Sequence, residues 1–203
     1  MKRVLFSALT ATSLLVLSGC GSTAPSTPDF NKCMIDGTQA PNWVCRPNSV
    51  EGGLVALGVA QPNAANDYQF QLDEATAAAR DSLARRIEVK VKNMFKQFKE
   101  TTGVGKDATF DKATQNVSKQ IASQTLRGSK VINSWQSPTT RALYVLVGIP
   151  AQDMQQVKEN IKNQAKSSFK NNKALWQKFL AQKADQKLDE AIDKEFGTQG
   201  QEQ

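Results

Sequence analysis

Residues 73–99 read DEATAAARDSLARRIEVKVKNMFKQFK, and this stretch decides the fold. Ala75, Ala79, Leu83, Ile87, Val91, Phe95 and Phe98 recur every three or four residues. That spacing puts one apolar stripe on an α-helix. Arg85, Arg86, Lys90, Lys92, Lys96 and Lys99 fall on the opposite face. The Ala-rich first half can lie close against a sheet, and the Phe-bearing second half fills a wider gap. Asn66 or Asp67 is placed to cap the start near residues 68–72, and Thr101-Thr102-Gly103 stops the helix. Just upstream, residues 54–60 (LVALGVA) form a short apolar run bounded by Gly52-Gly53 and Pro62, which reads as a buried strand. Glycines inside such a strand predict close approach by another backbone.

Downstream, a second helix is expected from Asp107 or Thr109 to Leu126, with Phe110, Ala113, Val117, Ile121 and Ala122 on its apolar side and Gly128 as its C-cap. Residues 130–135 and 141–149 are strand-like and flank a turn at Ser137-Pro138-Thr139-Thr140, so they predict a β-hairpin. Leu143, Val145 and Val147 face one side of its second strand, Tyr144 and Leu146 the other, which makes that strand central. Pro150 ends it and suits a helix start. Residues 151–196 are helical in character throughout. As one rod they would reach about 65 Å, longer than a small domain is wide. The span is therefore expected to break near Asn171-Asn172 or to project. Leu188, Ile192 and Phe196 then either form a partner-binding surface or fold back on the core. The fold class that follows is α+β: a small antiparallel sheet, one strand plus a β-hairpin, packed by helices, with a long C-terminal helix.

The N-terminus is MKRVLFSALTATSLLVLSGC. Lys2 and Arg3 precede an apolar run from Val4 to Leu17, and Leu17-Ser18-Gly19-Cys20 matches a lipobox. Such a segment is a targeting signal rather than part of the fold. By resemblance to lipoprotein signals, cleavage falls between Gly19 and Cys20. The Cys20 thiol then takes a diacylglycerol through a thioether, and the new amino group is acylated. Gly21, in place of an aspartate, points by the same resemblance to the outer membrane. The chain so divides into a signal peptide (1–19), a Gly/Ser/Thr/Pro-rich tether (20–31), an α+β domain (32–150), a C-terminal helical extension (151–196) and a polar tail (197–203).

Two further cysteines, Cys33 and Cys45, read as one disulfide in an exported chain; the competing reading is a pair of free thiols or a metal site. The chain has no histidine. That removes the commonest general base and the usual zinc ligand sets, and no cofactor is implied. The formal net charge of +7 falls to +5 once Lys2 and Arg3 are lost. No basic cluster interleaved with aromatics suggests nucleic acid.

The order strand, long helix, helix, hairpin, helix resembles the small bacterial lipoprotein family founded on the twenty-kilodalton Helicobacter lipoprotein antigen. The matching pieces are Pro41-Asn42-Trp43, the strand Ala56-Leu57-Gly58-Val59-Ala60, the helix pattern Ala75-X-X-Ala78-Ala79-Arg80-X-X-Leu83-Ala84, Leu126-Arg127-Gly128, and the hairpin from Trp135 to Leu146. The likeness covers roughly residues 41–150. It implies an α+β domain of a lipid-anchored envelope protein, with relatives needed for flagellar assembly or motility and no clear enzymatic activity.

Three function classes follow. The first is a non-catalytic outer-membrane module with an envelope or flagellar protein partner, or self-association through an open sheet edge; Trp43 and Trp135 then serve as interface anchors or as core. The second is an envelope enzyme using Asp73 or Glu74 with Arg80, although acids near a helix start also answer the macrodipole. The third is a binder of peptidoglycan or lipid through the Arg85, Arg86, Lys90, Lys92 and Lys96 face, which is otherwise the solvated side of a helix.

Overall fold

The computed structural model describes residues 32–49, 53–104 and 108–197. In chain order the elements are β1 (Met34–Ile35), β2 (Thr38–Gln39), α1 (Asn42–Cys45), β3 (Leu54–Ala60), α2 (Tyr68–Thr102), α3 (Ala108–Leu126), β4 (Lys130–Gln136), β5 (Leu143–Ile149), α4 (Met154–Lys170), α5 (Lys173–Ala181) and α6 (Asp185–Phe196). The main sheet has the order β3-β5-β4 and is antiparallel throughout. The last strand in sequence is thus the central one, as its unbroken apolar run LYVLVGI requires. β3 runs beside it from Leu54 opposite Ile149 to Ala60 opposite Leu143. The β4–β5 turn closes through the Arg141 N–H on the Ser137 carbonyl (2.8 Å), and β4 carries a bulge between Val131 and Asn133.

Helix α2 lies on one face of this sheet. Its stripe from Ala75 to Phe98 is buried as the spacing predicts. The tightest contact is at Gly58: a methyl group there would overlap the Ala75 carbonyl oxygen and the Ala79 nitrogen and lie 2.9 Å from the Ala79 Cα. Strand and helix meet backbone to backbone because Gly58, Ala75 and Ala79 carry the smallest side chains available. The Asp67 carboxylate caps the helix by accepting the Phe70 N–H (3.1 Å), and Gly103, at φ +66°, ends it with its N–H on the Lys99 carbonyl (2.9 Å). Gln71, buried, donates to the carbonyls of Ala60 (3.0 Å) and Arg141 (2.8 Å), pinning the strand end to the hairpin. Gly128 follows α3 but is not left-handed, so it does not serve as the expected αL cap; 3₁₀-type bonds from Arg127, Gly128 and Ser129 close that end instead.

At 35 residues α2 outruns the sheet. Its far half packs among helices through an aromatic cluster. Phe98 stacks on Phe169 (centroids 5.4 Å), Phe95 meets Phe110 edge-on (6.2 Å), and Phe179 lies 5.5 Å from Phe169. The sheet end and the helical end form one continuous apolar core.

The C-terminal span breaks at Asn171–Asn172, where the Asn172 side chain accepts the Leu175 N–H (3.1 Å) and starts α5. A second reversal, at a left-handed Lys183 (φ +47°), turns the chain into α6. Leu188, Ala191, Ile192 and Phe196 are all buried, so α6 folds back on the core rather than projecting. A ladder of charge fixes its register on α4: Lys158 to Asp193 (2.9 Å), Lys162 to Asp189 (2.7 Å) and Lys166 to Asp185 (2.6 Å), each partner four residues from the next. The Lys90 ammonium donates to the Glu195 carbonyl (2.5 Å) and Gln97 to the Glu195 carboxylate (2.7 Å), tying the same helix to α2.

The hydrogen bond from Lys166, reinforced by Lys162, holds the Asp185 carboxyl below its ordinary value of 3.8. Asp189, with Asp185, raises Lys162 above 10.5. A lowered carboxyl stabilises the fold above pH 3.8 and stops doing so as pH falls through its folded value. The raised ammonium stabilises below pH 10.5, and its share goes as pH rises through its own. Stability measured by urea unfolding is therefore expected to drop below about pH 4. Asp185→Asn should shrink that acid-sensitive part by about 0.2–1 kcal/mol, the range for exposed pairs, and high salt should shrink it too. Gly58→Ala should cost about 3 kcal/mol in the same assay, because neither backbone can yield without opening the sheet–helix layer; a variant of unchanged stability would refute that contact.

Candidate functional site

Two surfaces carry the residues singled out by the sequence. The first is the disulfide cap. Asp36 (φ +49°) and Gly37 (φ +76°) turn the β1–β2 hairpin, the Ala40 N–H donates to the Cys33 carbonyl (2.8 Å), and Pro41 leads into α1. This folding brings Cys33 and Cys45 to a Cα separation of 5.7 Å, joined as a disulfide. Cys33, Ala40 and Val44 are buried, with Ile35, Trp43, Trp135 and Tyr144 packed around them. Strand alternation explains the location. Leu143, Val145 and Val147 point toward α2, so Tyr144 points to the other face, where it meets its cross-strand neighbour Trp135 at 5.4 Å. The cap covers that face. Thr140 donates to the Asp36 carboxylate (3.2 Å), and the Thr38 and Thr139 hydroxyls lie 2.9 Å apart, locking the cap to the β4–β5 turn. Trp43 and Trp135 are half-buried in this packing.

The second surface is the basic side of α2, which is not one free stripe. Arg86 donates to the Val55 carbonyl and, through Nη2, to the Asn48 side chain (2.6 Å), so it closes part of the outer edge of β3. Lys90 is held by α6, Lys92 pairs with Glu88 (2.7 Å), and Arg85 reaches Ser82 (3.3 Å). Further along, α2 and α3 enclose a groove of about 290 Å³. Phe95 and Phe110 line its apolar wall, and Lys92, Lys96, Lys99 and Asp111 its rim. Lys99 pairs with Asp111 (2.8 Å) and sits 6.0 Å from the Phe110 ring centre. A groove rimmed mainly by lysines suits an anionic group.

Gly19 and Cys20, the cleavage and lipidation residues, lie outside the described residues. Asp73, Glu74 and Arg80 are all exposed on α2; Asp73 accepts from Gln69 (3.0 Å), and none of the three lines the α2–α3 groove. Among the described residues, no group of three Asp, Glu, Cys or His side chains is placed to hold a metal ion. The sequence reading missed the roles of Arg86 and Lys90. It also missed the Lys–Asp ladder, although Lys158, Lys162 and Lys166 matched against Asp185, Asp189 and Asp193 repeat at the same interval and announce two antiparallel helices.

A family model described as LPP20 lipoprotein matches residues 41–150, more than half of the chain. The matched span begins at Pro41, just before α1, and ends at Pro150, just after β5. It therefore holds the whole main sheet with α2 and α3 and leaves out α4–α6. No curated protein sequence matches the chain.

The disulfide closes a sequence separation of 12 residues. Replacing both Cys33 and Cys45 by Ser should lower the unfolding free energy by about 3 kcal/mol on the chain-entropy account. Tryptophan emission should shift to the red as Trp43 and Trp135 lose their cover, while helix content by circular dichroism stays the same. A double variant of native stability would show that the cap is held by its hydrogen bonds alone.

Proposed function

The chain belongs to the LPP20 lipoprotein family, and from that premise we propose that it is a lipid-anchored protein of the bacterial cell envelope. In this reading residues 1–19 are removed, Cys20 carries the acyl chains at the outer membrane, and residues 20–31 tether a folded body that begins at the disulfide cap. The observation that carries it is the lipobox Leu17-Ser18-Gly19-Cys20, standing a short Gly/Ser/Thr/Pro-rich stretch ahead of the family-matched domain. Two or three chains anchor firmly where one is marginal, since each buried methylene contributes about 0.8 kcal/mol.

The body works without catalysis, as an assembly or interaction module whose partner is an envelope or flagellar protein or a second copy. Two features support this. The acid and arginine candidates for chemistry stand exposed and outside the α2–α3 groove, and much of the basic side of α2 is committed to holding the fold. The lysine-rimmed α2–α3 groove favours a second reading, binding of an anionic envelope polymer such as peptidoglycan.

Mass spectrometry of the processed protein is expected to show an N-terminal acylated cysteine at residue 20. Cys20→Ala should leave the chain unprocessed and move it out of the outer-membrane fraction. A mature chain without acyl groups, or an alanine variant that still fractionates with the outer membrane, would overturn the anchoring.

A further inference from the structure

Residues 160–184 hold six lysines and no acidic residue. The ladder takes up Lys162 and Lys166. The other four, Lys170, Lys173, Lys178 and Lys183, surround α5 at the corner where α4 gives way to α6. All four are exposed, and none pairs with a carboxylate among the described residues. Asp185, the first acid beyond them, is already engaged by Lys166 and Lys162.

The same corner presents apolar surface. Leu175 and Phe179 turn inward, which leaves Lys173, Trp176, Gln177 and Leu180, at helical spacing, on the outer side of α5. Leu180 is 52% exposed, the half-buried Trp176 stacks on Phe179 (5.1 Å), and the Lys170 ammonium lies 5.2 Å from the Trp176 ring centre. A short helix with an outward leucine and tryptophan ringed by cations has the make-up of an interfacial membrane element. Its apolar tip enters the headgroup boundary while the lysines meet lipid phosphates.

We propose that the α5 corner docks on an anionic phospholipid surface and gives the protein a second membrane contact, distant in sequence from Cys20. Charge complementarity selects the lipid. A groove for a protein helix would offer longer apolar relief and some acid–base alternation, and this corner has neither. Reach agrees, and this part rests on the anchoring proposed above. The corner lies at the Phe98 end of α2 and the disulfide cap at its Ala75 end, about 35 Å apart along the helix. Twelve extended residues span at most about 40 Å. The body can therefore lie along the membrane that holds its lipid.

The test uses the unlipidated mature chain, residues 20–203 with Cys20→Ser, sedimented at low salt with vesicles of phosphatidylcholine alone or mixed with phosphatidylglycerol. The chain should bind only the anionic vesicles and come off in high salt. Lys170→Gln, Lys173→Gln and Lys178→Gln should each weaken binding about fivefold, and Leu180→Ser should weaken it further without changing circular dichroism. Lys92→Gln with Lys96→Gln, in the α2–α3 groove, should leave it unaltered. Equal binding to neutral vesicles, loss through the groove lysines instead, or retention on peptidoglycan sacculi without vesicle binding would each overturn the proposal. Because this chain carries no acyl group, its failure stays separate from failure of the Cys20 anchor.

Discussion

The structure depends on how closely β3 and α2 approach at Gly58. With no Cβ on the strand and only methyl groups at Ala75 and Ala79, the helix settles into van der Waals contact with the sheet backbone. That contact sets the height of α2 above β3 and β5 at one end. Because α2 runs unbroken for 35 residues, it also sets where Met94, Phe95 and Phe98 arrive at the other end. The aromatic cluster then fills the space that the diverging helices leave. A core graded from alanine to phenylalanine along a single helix lets a three-stranded sheet and a helical bundle share one interior.

Much of this was legible in the sequence because it rests on local periodicity. The α2 stripe, the β3 strand, the hairpin with its central second strand, the Asp67 cap and the Gly103 stop are all stated by residues within a few positions of one another. The Asn171–Asn172 break was legible for the same reason. The second reversal at Lys183 was not, since a lysine carries no turn signal, and the left-handed backbone there is imposed by the α4–α6 pairing. The fate of α6 was open for a related reason. Leu188, Ile192 and Phe196 look the same in sequence whether they face a partner or their own core; only the placement of Lys158, Lys162 and Lys166 opposite the three aspartates decides it.

The candidate surfaces divide along the same line. The disulfide followed from cysteine count and compartment, but the face it covers followed only from strand alternation together with the position of β5 in the sheet. The basic side of α2 looked uniform as a helical projection. In three dimensions its cations have separate employments: Arg86 on the β3 edge, Lys90 on the end of α6, Lys92 and Lys99 in ion pairs. Further exposed positive charge gathers around α5, in a segment whose lack of acidic residues is visible in the sequence once its helices are drawn apart.

The ring closed by Cys33 and Cys45 also has a mechanical meaning. A pull applied to the chain ahead of residue 32 would enter the described fold at this ring. The ring is a covalent loop, clasped by side chains to the β4–β5 turn. Between Cys33 and Cys45 such a pull would divide between the backbone and the bridge, so the β1–β2 hairpin cannot be drawn out while the disulfide is closed. β3 begins at Leu54, beyond the closed ring, so the strand whose glycine seats the central helix lies on the far side of that crosslink from residue 32.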